Sequence, residues 1–155
     1  MINELVIGHA DARLVAQAVL DAAGANRKPI AVAVVDNRGD IVYFTRQDGA
    51  SAVDIRNAER KAYTAAFIGR DSSLWRQQIT HDGRTVADWS DLNVTTIHGG
   101  WTLRRQSQVI GGIGVTGTGD EDSDEQLALK GAEAAAQISV DEWRTKRDPR
   151  PIRAR

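Results

Sequence analysis

The sequence predicts an α+β domain: an antiparallel sheet of about five strands flanked by helices. Three observations predict it. Short β-branched runs come in pairs joined by polar or glycine-bearing turns, which is hairpin chemistry. Helical periodicity appears at the start, middle and end of the chain but not between each pair of strands, which argues against a doubly wound parallel sheet. No internal repeat is visible. The chain has 155 residues, of which 41% are hydrophobic, enough for one domain with a real core.

Residues 10–23 place Leu14, Val15, Ala18, Val19 and Ala22 at helical spacing, and Gly24 is a natural stop. Pro29 opens the run IAVAVVD over 30–36, Asn37-Arg38-Gly39-Asp40 has turn chemistry, and IVYFTR follows, giving the first hairpin. A second helix is expected over 51–69, capped by Ser51 and ended by Gly69, with a short third helix over 72–79. The polar stretch 81–93 reads as an irregular excursion. Strands are then expected at VTTI (94–97), WTLRR (101–105) and VIGGIGVTG (109–117), with turns at Gly99-Gly100 and at Gln106-Ser107-Gln108. The last helix is 122–138. The domain is expected to occupy 1–143. The tail 144–155 carries a net charge of +5 with Pro149 and Pro151, and is expected to be frayed or docked on a neighbouring subunit.

Composition removes several function classes. The net charge of −1 gives no global basic field for nucleic acid. The absence of cysteine excludes disulfides, thiolate metal sites and a cysteine nucleophile. The start lacks a basic n-region, and its apolar run is broken by His9 and Asp11, so no signal peptide is expected. No run approaches the ~18 apolar residues of a membrane span. The expected location is therefore the cytoplasm, with no membrane partner.

Helix 51–69 carries Ile55, Ala58, Ala62, Ala65 and Ala66 on one narrow face, which lets it sit close to a sheet. Beside that stripe runs a polar band of Asp54, Asn57, Lys61 and Thr64, with Lys61 one turn from Asn57 and from Thr64. The band reads either as a solvated edge or as a pocket margin where Lys61 binds a carboxylate. In 109–117, Val109, Gly111, Ile113 and Val115 share one face, and Gly112, Gly114 and Thr116 the other. Two bare positions on one face mean that a helix backbone or a ligand comes close. Gly112, Gly114 and Gly117 also spell GxGxxG, but the strand–helix–strand context of dinucleotide binding is missing.

The acidic run 120–125 lacks the glycine and glutamate positions of a calcium loop and reads as helix N-terminal electrostatics. His9, His81 and His98 show no metal-ligand spacing, so no metal site is predicted. His98, before Gly99-Gly100 at a strand end, is either a turn residue or a cleft residue. Arg46 and Asp48 flank the exit of the second strand, where the arginine can grip a carboxylate and Asp48-Gly49 can equally be a plain turn.

Four blocks, in order, carry a family pattern. IAVAVVDNRGDIVYFTRQDGA, AERKAYTAAF with Lys61, Ala62, Thr64 and Ala65, VIGGIGVTG, and DEQLALKGAEA over 124–134 together resemble the GlcG/HbpS-like haem-binding family across most of 10–138. The resemblance implies a profilin-like fold, homo-oligomers of dimer size or larger, and a role in haem binding or degradation or in catabolic operons. The chain departs from the family at HGGWTL, where Trp101 and Thr102 replace a small apolar residue and a proline. With aromatics at 5% and no cysteine, axial haem ligands are restricted to histidine, tyrosine or Met1.

Two functions follow. One is a module binding haem or a similar planar ligand, with Asp48, Asn57, Thr64, Trp101, Gly112 and Gly114 as ligand-site candidates. The other is a cofactor-independent isomerase, hydratase, lyase or hydrolase acting on a small carboxylate. There Lys61 or Arg46 would hold the acid and His98 would act as general acid or base, a role that suits an imidazole. A purely structural subunit, its glycines serving packing, is the remaining reading.

Overall fold

The β-branched run after Pro29 becomes the central strand of the molecule. The computed structural model describes residues 4–24 and 28–138. Its elements are α1 (His9–Ala23), β1 (Ala31–Asp36), β2 (Ile41–Arg46), α2 (Ala52–Ile68), α3 (Ser72–His81), a 3₁₀ turn (Val86–Trp89), β3 (Gly100–Arg105), β4 (Gln108–Thr116) and α4 (Glu121–Gln137). The sheet is antiparallel in the order β2-β1-β4-β3. β1 is flanked on both sides and both of its faces are covered, which is why five of its six residues are buried and its sequence runs apolar without alternation.

One face of the sheet receives α1 and α4. Ile30, Val32, Val34, Ile113 and Val115 meet Val15, Val19, Leu127 and Ala128 there in the main core. The other face receives α2, where Ala31, Ala33 and Val35 meet Ala58, Ala62 and Ala66. The bare positions of β4 make that second contact possible. A Cβ on Gly112 would stand 2.3 Å from the Ala62 carbonyl, and one on Gly114 would stand 2.1 Å from the Ala58 carbonyl. The glycines are thus filled by helix backbone, and the alanine stripe is the partner its narrow face predicted. α2 opens with a capping box between Ser51 and Asp54 and closes on Gly69 in the left-handed region.

The described residues form four strands, not about five. VTTI is β-branched but makes no ladder. The Thr95 N–H donates to Thr64 Oγ1 at 2.9 Å, the Ile97 N–H donates to Thr95 Oγ1 at 3.2 Å, and the Thr96 carbonyl accepts from Arg76 Nε at 3.0 Å. Its backbone groups are bound by side chains, which compete with sheet pairing. Val94 meanwhile drops into a satellite cluster with Trp75 and Ile79. The boundary at 143 and the tail 144–155 lie outside the described residues. No helix among the described residues is long and apolar enough to cross a membrane.

Candidate functional site

Two of the polar groups singled out from the sequence, Lys61 and His98, meet at the N-terminus of α4. Lys61 projects from the sheet-facing side of α2 beside Gly114 and is 1% exposed. Its ammonium donates to Asp124 Oδ2 at 2.8 Å and to the Val115 carbonyl at 2.9 Å. The other oxygen of Asp124 accepts from the Thr118 hydroxyl at 2.7 Å and the Thr118 N–H at 3.1 Å. Burial lowers the pKa of the Lys61 ammonium, and the adjacent Asp124 carboxylate works against that shift. Gly99 and Gly100 let β3 close over the pair. At Gly99, with φ +118°, a Cβ would stand 2.7 Å from the Lys61 ammonium, and at Gly100 it would stand 2.5 Å from the Lys61 carbonyl. Lys61 therefore sits inside the protein as a cross-link between α2, β4 and α4.

His98 lies outside the same helix end. Its backbone N–H donates to Glu121 at 3.1 Å, and its Nδ1 lies 3.1 Å from Asp122 Oδ1. Glu121 also pairs with Arg76 of α3. Burial opposes ionisation of Glu121, but the His98 N–H and the Arg76 guanidinium outweigh it and hold its pKa below the ordinary value. Glu125 reaches the other way and accepts from the Ser73 N–H in the first turn of α3 at 2.8 Å. The acidic run is thus more than helix electrostatics: Asp120 caps α4, Glu121 and Asp122 hold His98, Asp124 holds Lys61 of α2, and Glu125 holds the first turn of α3. His98 lines an open cleft of about 420 Å³ with Ser73, Arg76, Gln77, Thr80 and His81.

The remaining candidates are dispersed. Arg46 is exposed at the end of β2, opposite Ala31, which pairs in turn with Thr116; it does not line the cleft that holds His98. Lys61 and His98 share the end of α4, one inside and one outside. Asp48 forms the exposed turn with Gly49. Thr64 fastens the 93–95 segment to α2 through its hydroxyl. Trp101 pairs with Ile113 and is half-buried, packed against the α1–α4 core. Gly112 and Gly114 face α2, and Asn57 lies half-buried on that helix. The residues that sequence reasoning missed are Arg76, Glu121, Asp122 and Asp124. The available signal was one lysine beside an alanine stripe, which demands a buried carboxylate somewhere else in the chain.

Residues 7–133 match the sequence profile of the family described as haem degrading protein, HbpS-like. The chain belongs to the HbpS-like family. Among curated relatives, this HbpS-like chain is 28% identical over 116 residues to protein GlcG of Escherichia coli K12, covering 75% of this chain and 85% of the relative. Among solved structures it superposes on a double mutant of HbpS from Streptomyces reticuli with a TM-score of 0.77 at 27% identity, covering 86% of this chain and 89% of that one. It also superposes on a PduOC–haem complex with a TM-score of 0.74 at 24% identity, covering 88% and 99% respectively, a likeness of fold. The match over 7–133 takes in α2, β4 and most of α4, the elements that carry the Lys61–Asp124 pair and its Val115 carbonyl.

Proposed function

We propose that this chain is a small-ligand-binding protein whose ligand is haem or a similar planar iron macrocycle, held at the cleft beside His98. One observation carries the reading: the His98 ring is fixed through Nδ1 by Asp122 while it lines an open cleft of about 420 Å³. A carboxylate on one ring nitrogen sets the tautomer and leaves Nε2 as the free donor, the arrangement that histidine ligands of metals commonly use. The residues present fit such a group at the donor. His98 and His81 are the histidines at the cleft, and imidazole is an established axial ligand of haem iron. The apolar recess under Leu5, Ile7, Ile110 and Ile138 holds only about 10 Å³ and is too small for a macrocycle. The family description supports the same ligand class. Bound haem would supply iron redox and oxygen chemistry. The protein's own part is to present His98 Nε2, orient it through Asp122, and brace the wall of the cleft through the Arg76–Glu121 pair. Assembly into homo-oligomers belongs to this reading, as does a cytoplasmic, catabolic setting.

The test is titration of the purified protein with haemin, followed by absorption spectroscopy. The wild type should develop the band of histidine-ligated haem. His98→Ala should shift or abolish that band, and Asp122→Asn should weaken affinity by about 10–100-fold. A band identical in wild type and His98→Ala overturns the assignment. The carboxylate-enzyme reading is less well supported, because Lys61 is sealed in its ion pair and neither it nor Arg46 lines the cleft at His98.

A further inference from the structure

A second cleft, of about 330 Å³, lies between α2 and the β1–β2 hairpin and shares no lining residue with the cleft at His98. Its floor is Tyr63, which is held from three directions. The phenol donates to Asp91 at 2.6 Å, Phe67 stacks on the ring at 5.4 Å, and the hairpin turn presses on it so closely that a Cβ on Gly39 would stand 2.4 Å from a ring carbon. Val35 and Ile41 add apolar surface, and Asn93 an amide.

Two charged side chains of opposite sign also line this cleft, Arg60 from α2 and Asp40 from the hairpin turn. Neither side chain has a hydrogen-bond or ion-pair partner among the described residues, and they do not pair with each other. The neighbouring charges are already matched, since Arg56 lies 3.7 Å from Glu59. A rigid apolar floor with an uncommitted guanidinium on one wall and an uncommitted carboxylate on the other is complementary to a molecule carrying both charges. A plain carboxylate would satisfy Arg60 but face Asp40 and Glu59. A plain amine would satisfy Asp40 but face Arg60 and Arg56.

We infer that this cleft binds a small zwitterion, bearing one carboxylate and one ammonium group on an apolar body, with Arg60 holding the carboxylate and Asp40 the ammonium. Arg60 presents a planar fork suited to two parallel bonds. Like-charge opposition supplies discrimination against the singly charged analogues.

The experiment is calorimetric titration of the full chain with L-leucine, 4-methylpentanoate and 3-methylbutylamine, which share a carbon skeleton and differ in charge. Backbone amide shifts of Gly39, Tyr63 and Asn93 would locate the binding. Leucine should bind at least about tenfold more tightly than either analogue, with shifts at those three residues. Arg60→Gln should remove the advantage of leucine over the amine, and Asp40→Asn its advantage over 4-methylpentanoate. Both residues are exposed, so the variants should melt as the wild type does. Absence of saturable leucine binding up to about 10 mM overturns the inference, as do equal affinities for the three probes or shifts located elsewhere.

Discussion

Replacing Lys61 with methionine tests the buried cross-link directly. The wild-type ammonium makes two bonds below 3 Å, to Asp124 and to the Val115 carbonyl, in a site 1% exposed to solvent. Methionine keeps most of the volume but leaves the Asp124 carboxylate buried with Thr118 as its remaining donor, and the Val115 carbonyl loses a partner. Breaking a buried pair from one side costs about 3–5 kcal/mol, because a charge is left without its counterpart. For a chain of this size that lowers the melting temperature by on the order of 10 °C. Asp124→Asn should cost a similar amount, and the double variant should cost less than the sum by about 1–3 kcal/mol, since neither charge remains. Urea unfolding followed by tryptophan fluorescence and circular dichroism measures all four proteins.

The pH profile adds an independent check on the same pair. Burial lowers the Lys61 pKa in the folded chain, whereas an unfolded lysine titrates near about 10.4. Within that window the unfolded chain holds a proton that the folded chain has released. The contribution of this group to stability therefore rises with pH across the window, and Lys61→Met should lack the rise. A Lys61→Met variant within about 1 kcal/mol of wild type, or strict additivity in the double variant, would refute the reasoning.

Three further outcomes are expected. Gly114→Ala places a methyl group 2.1 Å from the Ala58 carbonyl and 2.5 Å from the Ala62 nitrogen, both backbone atoms, so α2 must lift from the sheet at a cost of about 3 kcal/mol; unchanged urea stability would contradict the close packing. The hydrogen bond to Asp91 pushes the Tyr63 pKa up to about 12, so absorbance titration should show one of the two tyrosines ionising late. The stabilisation from that raised value is complete below about 10 and is lost as pH rises through the folded value; Asp91→Ala should return Tyr63 toward about 10. Ser51→Ala removes half of the α2 capping box and should cost about 1 kcal/mol in urea, while Ser51→Gly costs only a few tenths.

Local pattern and tertiary context contributed different parts of this structure. The four long elements that the sequence marks most clearly, α1, α2, β4 and α4, appear within one or two residues of their expected ends, because periodicity, caps and glycine stops are encoded within a few residues of one another. The pairing of the alanine stripe with Gly112 and Gly114 was also legible, since a face stripped of side chains needs a partner that can come equally close. VTTI failed as a strand because its backbone partners, Thr64 and Arg76, are about 20–30 residues away, and no local pattern announces them.

The candidate site divides along the same line. Chain-local chemistry marked Lys61, His98 and the acidic run as unusual. Their roles depend on which acid each one meets, and that is set by how α4 returns across the end of β4: Asp124 turns inward to seal Lys61, while Asp122 turns outward to orient His98. Two acids two positions apart on one helix point in different directions, so only the packed structure separates the buried cross-link from the half-buried imidazole at the cleft.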